Sequence, residues 1–266
     1  MICQPRFDYA RTAHRVARRE DHILFVSEGA PFLTLRLRST VPLRLEGGDA
    51  VAEFTLRAGQ SAAFVLEQGA DANRNRLRSR LIMSPGAFKE TVNFWRQWVS
   101  QSKYRGRWRE TVNRSALTLK LLTAEPYGSI VAAPSFGLPE RIGGSRNWDY
   151  RYSWIRDSSF TLYALMRLGY TQEATEFMRW LEARCRQIRP DGSLQLMYRI
   201  DGSENLREKI LPHFEGYMKS APVRIGNNAH RQLQLDIYGK LMDSIYLFNN
   251  MASRFPMTSG RIFWRW

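Results

Sequence analysis

Residues 147–168 read NWDYRYSWIRDSSFTLYALMRL. The first half is polar and aromatic. The second, 158–168, is apolar almost all round, with Phe160, Leu162, Tyr163, Ala164, Leu165, Met166 and Leu168. A helix with no polar face is expected to be buried on every side. Gly169 can stop it and Thr171 can cap the helix that follows. The Arg156–Asp157 pair then lies at the N-terminal mouth of the buried helix, where the loop enters the core.

Working outward, residues 172–187 have the periodicity of an outer helix. Ala174, Phe177, Met178, Leu181 and Cys185 fall on one stripe, and Glu173, Glu176, Arg179 and Glu182 on a charged face. A further helix is predicted over 229–248, with Leu233, Ile237, Leu241, Ile245 and Phe248 on one stripe. Upstream, 109–124 presents Val112, Ala116, Leu119 and Leu122 on one face, and aromatics recur at Phe94, Trp95 and Trp98. A buried helix followed by an amphipathic one suits a toroid of paired helices. A plain helical bundle fits as well.

Before Ser84-Pro85-Gly86 the period changes to two. In FLTLRLR, Leu33, Leu35 and Leu37 alternate with Thr34, Arg36 and Arg38; in VAEFTLR, Ala52, Phe54 and Leu56 alternate with Glu53, Thr55 and Arg57. HILFVS and SAAFVLE are two more short apolar segments, and Gly47-Gly48-Asp49 and Ala58-Gly59 are plausible turns. Such patterning suits an antiparallel sandwich with one polar face. The expected class is thus α+β, mainly α.

Composition narrows the function classes. The 266 residues are 44% hydrophobic and 24% charged, which excludes wholesale disorder and a collagen repeat. There is no apolar run of roughly eighteen residues to span a membrane, and the opening MICQPRFDYARTAHRVARRED has no apolar signal core. Two cysteines, Cys3 and Cys185, are too few for a disulfide framework, so the cytoplasm is the expected compartment. The net charge of +15 comes mostly from arginine, since only six of the 40 basic residues are lysines. Its densest clusters, Arg11–Arg19, Arg74–Arg80 and Lys103–Arg109, carry no helix-turn-helix, zinc or aromatic-platform pattern, so nucleic acid is not the expected partner. Nothing in the sequence calls for a cofactor or a metal: there is no phosphate-binding glycine loop, no HExxH and no CxxC, and the four histidines are scattered.

The chemistry-bearing stretch is therefore 147–158. Aromatic faces offer flat apolar platforms for the C–H faces of a sugar ring. An adjacent guanidinium and carboxylate can take paired, charge-assisted hydrogen bonds from vicinal hydroxyls. The same residues also fit a plainer reading, in which Arg156 and Asp157 form a helix-capping ion pair and the aromatics simply pack.

From about Phe94 to Tyr246 the chain resembles glycoside hydrolase family 15, the bacterial glucoamylase, glucodextranase and trehalase-like enzymes. The resemblance rests on GRWRETVNRSALTLKLLT, GSIVAAPSFGLPERIGGSRNWDYRYSWIRDSSFTLYAL and HFEGYMKSAPVRIGNNAHRQLQLDIYG, in that order. It implies the C-terminal part of an antiparallel β-sandwich over 1–85, then an incomplete (α/α)6 barrel over 86–251, then a 252–266 tail unlike the family. It also implies inverting hydrolysis of an α-glucoside: a maltodextrin, a dextran-type glucan or trehalose. The family's sugar-binding Trp-x-Arg-Asp motif falls on Trp154, Arg156 and Asp157, with Tyr152 two residues before; the pocket-facing arginine of the later Pro-x-Arg segment falls on Arg224. Trp148, Asp149 and Glu215 are further binding candidates, an outward-facing Glu215 being the plainer alternative.

Inverting hydrolysis needs a general acid and a general base whose carboxyls stand roughly 6.5–9.5 Å apart. The resemblance places both glutamates beyond residue 266, so no catalytic residue is assigned within this chain. The helices are too few for a closed barrel, and the chain is expected to be short at both ends. Two outcomes follow: a catalytically dead fragment keeping part of a glucose subsite, or a chain completed by a complementary one.

Overall fold

A computed structural model describes residues 1–29, 32–69, 85–187 and 192–252. The Arg74–Arg80 cluster, Ser84 and tail residues 253–266 lie outside the described residues. The chain divides into two compact units, Met1–Gln97 and Trp98–Trp266.

In the first unit, strands β1 (Ile2–Cys3), β2 (His14–Arg18), β3 (Ile23–Ser27), β4 (Thr34–Ser39), β5 (Arg44–Glu46), β6 (Asp49–Val51) and β7 (Phe64–Gln68) form two antiparallel sheets. Their orders are β2-β3-β4-β7 and β1-β6-β5. Ile23 and Phe25 of β3, Leu37 of β4 and Ala50 of β6 meet Phe7 in a shared apolar core. The period-two reading located β3, β4 and β7 but failed at VAEFTLR. The assigned strand ends at Val51, and after one last pair of hydrogen bonds between Ala52 and Met1 its short neighbours β1 and β5, two and three residues long, carry the pairing no further. Phe54 and Leu56 are left exposed. Nor is the arginine face of β4 a solvated one. Arg36 and Arg38 are buried, and Arg38 Nη1 donates to Glu67 Oε2 at 2.7 Å while its Nε donates to Asp21 Oδ2 at 3.2 Å.

Beyond a four-residue helical turn at Phe7–Ala10, the helices are α1 (Pro85–Ser100), within which the unit boundary falls, and then α2 (Arg109–Leu121), α3 (Ile155–Leu168), α4 (Thr171–Cys185) and α5 (Asp236–Ala252). Short antiparallel pairs lie between them: β8 (Thr123–Ala124) with β9 (Ser129–Ile130), β10 (Ser153–Trp154) with β11 (Met197–Tyr198), and β12 (Lys209–Ile210) with β13 (Arg224–Ile225). The chain is thus α+β. The second core gathers Leu162 and Met166 of α3, Phe177 and Leu181 of α4, and Leu241 and Phe248 of α5.

Four helix expectations change. Helix α3 starts earlier, at Ile155, and is not buried all round: Phe160 is 56% exposed and Tyr163 is 42% exposed. Its inward face is Ile155, Ser158, Ser159, Leu162, Leu165 and Met166, so an apolar composition concealed a one-sided helix. Glu173 is not on an outer face of α4 but is buried. Thr171 opens α4 without a side-chain cap; Gly169, at φ +98°, does end α3.

The helix predicted over 229–248 is two elements. Asn227 Oδ1 accepts from Ala229 N–H and starts a short 3₁₀ turn, Asn228–Arg231; the chain then runs irregularly until Asp236 opens α5. Leu233 and Leu235 consequently stand exposed, while Ile237, Leu241 and Phe248 keep the buried stripe. No helix among the described residues is long and apolar enough to cross a membrane.

Candidate functional site

Two short ladders fix the polar-aromatic stretch. Ser153 and Trp154 pair with Tyr198 and Met197, and Ile155 N–H donates to Leu196 O at 3.1 Å, which holds Trp154 where α3 begins. Lys209 and Ile210 pair with Ile225 and Arg224, bringing Glu208 to the side of Arg224.

Asp149 ties the two together. Its carboxylate is fully buried, and accepts from Arg151 Nε at 2.9 Å, Arg151 Nη2 at 2.8 Å, Tyr152 Oη–H at 3.1 Å and Gly226 N–H at 3.2 Å. Asn227 Nδ2 donates to Asp149 O at 3.2 Å. A buried carboxylate with a bidentate guanidinium and further donors is compensated rather than stranded. Tyr152 Oη also accepts from Gly226 N–H at 3.0 Å. Burial first, then the neighbouring Asp149 charge, push its phenol up to about 12.

Beside this hub opens a cleft of about 410 Å³. Trp148, Tyr150 and Trp154 supply its aromatic lining; Glu208, Asn227, Asn228 and Gln232 supply the polar groups, with Ala229 between them in sequence. Of the expected residues, only Trp148 and Trp154 line it. Arg224 lies behind the lining, with its guanidinium carbon 4.6 Å from the Trp148 ring centroid. Its Nη1 donates to Ser145 O at 2.9 Å and Asn147 Oδ1 at 3.3 Å, and its Nε stands 3.2 Å from Glu208 Oε1, outside hydrogen-bond alignment. Tyr152 is buried in the hub.

Arg156 and Asp157 are half-buried at the start of α3 and are not among the lining residues. Arg156 Nη2 is 3.3 Å from Asp157 Oδ2, and its Nη1 donates to Gln234 Oε1 at 3.0 Å and Asp236 Oδ2 at 3.3 Å. Gln234 Nε2 in turn donates to Gln232 Oε1 at 2.9 Å, so one side-chain chain joins Arg156 to the cleft lining. Asp157 Oδ2 is buried and accepts no aligned hydrogen bond from the described residues. Glu215 is exposed on the loop between β12 and β13.

Sequence reasoning passed over Tyr150, Glu208, Asn227, Asn228 and Gln232. Tyr150 sat inside the quoted stretch. Glu208 is distant in sequence, and its only signal was a β-hairpin pairing too short to show periodicity. Among the described residues no group of three His, Cys, Asp or Glu is placed to hold a metal ion.

The profile of Glycosyl hydrolases family 15 matches residues 106–262, more than half of the chain. A trehalase of Thermoplasma volcanium is 37% identical over 243 residues, 91% of this chain and 37% of its own length. One from Mycolicibacterium smegmatis is 36% identical over 272 residues, 96% of this chain and 39% of its own. A trehalase of Thermoplasma acidophilum reaches 48% over 158 residues, 59% of this chain and 26% of its own. The chain spans less than two fifths of the length of these relatives. With the profile covering the hub, the cleft and the start of α3 alike, the chain belongs to glycosyl hydrolase family 15.

Proposed function

We propose that the cleft binds one glucose unit of an α-glucoside, trehalose before maltodextrin or dextran-type glucan, for hydrolysis with inversion. The observation that carries this is the lining itself: three aromatic rings, a carboxylate and three side-chain amides around about 410 Å³. Rings stack on sugar C–H faces while the polar groups take hydroxyls, and a mostly apolar concave site with a few fixed polar groups is what small ligands require. The relatives bearing the name trehalase favour trehalose among the α-glucosides.

In this reading Trp148 and Trp154 contact the sugar, and Arg224 stiffens the wall from behind. Tyr152 positions the loop through Asp149. Arg156 and Asp157, 3.3 Å apart, extend the site at the mouth of α3. Glu215 is assigned to the rim. Residues 1–85 would form the sandwich part and 86–251 part of an (α/α)6 barrel. The roles assigned here are binding roles; none is proton transfer.

Titrating the chain with trehalose, maltose and isomaltose while following tryptophan fluorescence tests the reading, with β-glucose release followed by NMR in parallel. A saturable response strongest for trehalose, weakened in Trp154→Ala and Asp157→Asn, is the expected result. No response to any of the three sugars sinks it.

A further inference from the structure

The cleft contains a single acidic residue among its described lining, Glu208. Its side chain is only 16% exposed, which is costly for a carboxylate unless something compensates the charge. That compensation is Arg224 Nε, 3.2 Å from Oε1, yet the pair is not aligned as a hydrogen bond. Arg224 itself cannot swing to improve it. Its Nη1 already serves Ser145 O and Asn147 Oδ1, and its plane rests against Trp148. Glu208 is therefore held near a cation that neutralises it, while its oxygens accept no hydrogen bond from the described residues. A carboxylate accepts only, with up to four lone-pair sites, and the hydroxyls of a sugar are donors it can satisfy in pairs.

We infer that Glu208 is a specificity-determining residue of the cleft, accepting hydrogen bonds from ring hydroxyls of the bound α-glucoside. Arg224 holds it in place without consuming its acceptors. The inference rests on the cleft being the sugar site. It adds which group reads the hydroxyl pattern, whereas the amides of Asn227, Asn228 and Gln232 can both donate and accept and so discriminate less sharply.

The test uses the whole chain, trehalose and the four monodeoxytrehaloses, with affinities read from tryptophan fluorescence. Glu208→Gln keeps the shape and removes the charge; trehalose affinity should fall roughly tenfold or more, as for the loss of a charge-assisted hydrogen bond. At least one deoxy sugar should bind the unmodified chain roughly tenfold more weakly than trehalose, and for that sugar the gap between the two proteins should close. Should Glu208→Gln lose its circular dichroism signature, Glu208→Asp takes its place in the same cycle.

Three results overturn the inference while leaving the cleft reading intact. The variant could bind trehalose as well as the unmodified chain does. Its deficit could be equal for every deoxy sugar, which would make Glu208 a mere prop for Arg224. Or the unmodified chain could bind all the sugars alike. No binding of any sugar by the unmodified chain defeats the cleft reading itself, and the inference with it.

Discussion

Lys120 Nζ stands 2.7 Å from Glu173 Oε1, and both side chains are withdrawn from solvent. Trp98 Nε1 donates to the same oxygen at 2.7 Å, so one carboxylate joins α1, α2 and α4. Trp98 also stacks on Tyr170, ring centroids 4.0 Å apart and planes 5° from parallel. Burial by itself would raise the Glu173 carboxyl, but the Lys120 and Trp98 hydrogen bonds outweigh it and hold it below its ordinary value. A carboxylate depressed in the folded state stabilises the fold at pH values above its unfolded pKa of 4.5, and that contribution is lost as pH falls through the folded value. Glu173→Ala should cost about 3 kcal/mol in urea unfolding at pH 7, by stranding Lys120 and the indole N–H. In Glu173→Gln the loss is smaller, and stability should fall less steeply below pH 4.5 than in the unmodified chain.

A second titration runs the other way. Tyr152 is held neutral to about 12 against an ordinary 10.0. A group raised in the folded state contributes stability that is complete below its unfolded pKa and is withdrawn as pH climbs through the folded one. Unfolding free energy should therefore decline between pH 10 and about 12, and Tyr152→Phe should flatten that decline. At neutral pH the same substitution costs about 1–2 kcal/mol, because Gly226 N–H and Asp149 each lose a buried partner.

Trp148 and Trp154 should separate from the apolar residues that lie outside the cleft. Trp148→Ala removes a cleft wall and the ring against which Arg224 rests, so sugar affinity should drop roughly tenfold, the worth of one stacked aromatic face plus a cation–π contact. Phe160→Ser alters an exposed ring on α3 and should leave affinity unchanged. Equal losses in the two variants would mean that the cleft is not where the sugar sits.

The period-two and helical readings located most of the elements because each signal is local. Leu37 or Phe177 declares its face through its immediate neighbours. What escaped is non-local. Glu173 carries a charge that marks it for the surface, and only the arrival of Lys120 and Trp98 from other elements makes its burial tolerable. Arg38 is the same case in the β unit, compensated by Glu67 and Asp21. The start of α5 was misplaced because Leu233 fits the helical stripe, while the Asn227 cap that launches a short turn instead is one hydrogen bond. Within the site, Trp148 and Trp154 were legible as aromatics in one run of sequence. Glu208 reaches the cleft through a two-residue ladder, a signal too brief for any periodicity to show.

Gly226 offers the sharpest test of that ladder. Its φ is +78°, a region L side chains rarely adopt, and a Cβ there would stand 2.2 Å from Arg207 O and 2.8 Å from Glu208 Cα. Backbone atoms cannot yield as a side-chain tip can, so Gly226→Ala must push the Arg207–Glu208 segment away from β13. The same shift breaks the Gly226 N–H bonds to Asp149 and to Tyr152. Strain and lost bonds together should cost about 2–3 kcal/mol. Sugar affinity should fall with stability here, because the displaced segment carries Glu208 out of the cleft wall. Gly192→Ala is the control. It has an equally left-handed φ of +76° but nothing among the described residues within 4 Å of an added Cβ, so it should pay only the backbone strain and bind sugar normally. If Gly226→Ala folds with unaltered sugar affinity, the hairpin does not set the geometry of the cleft.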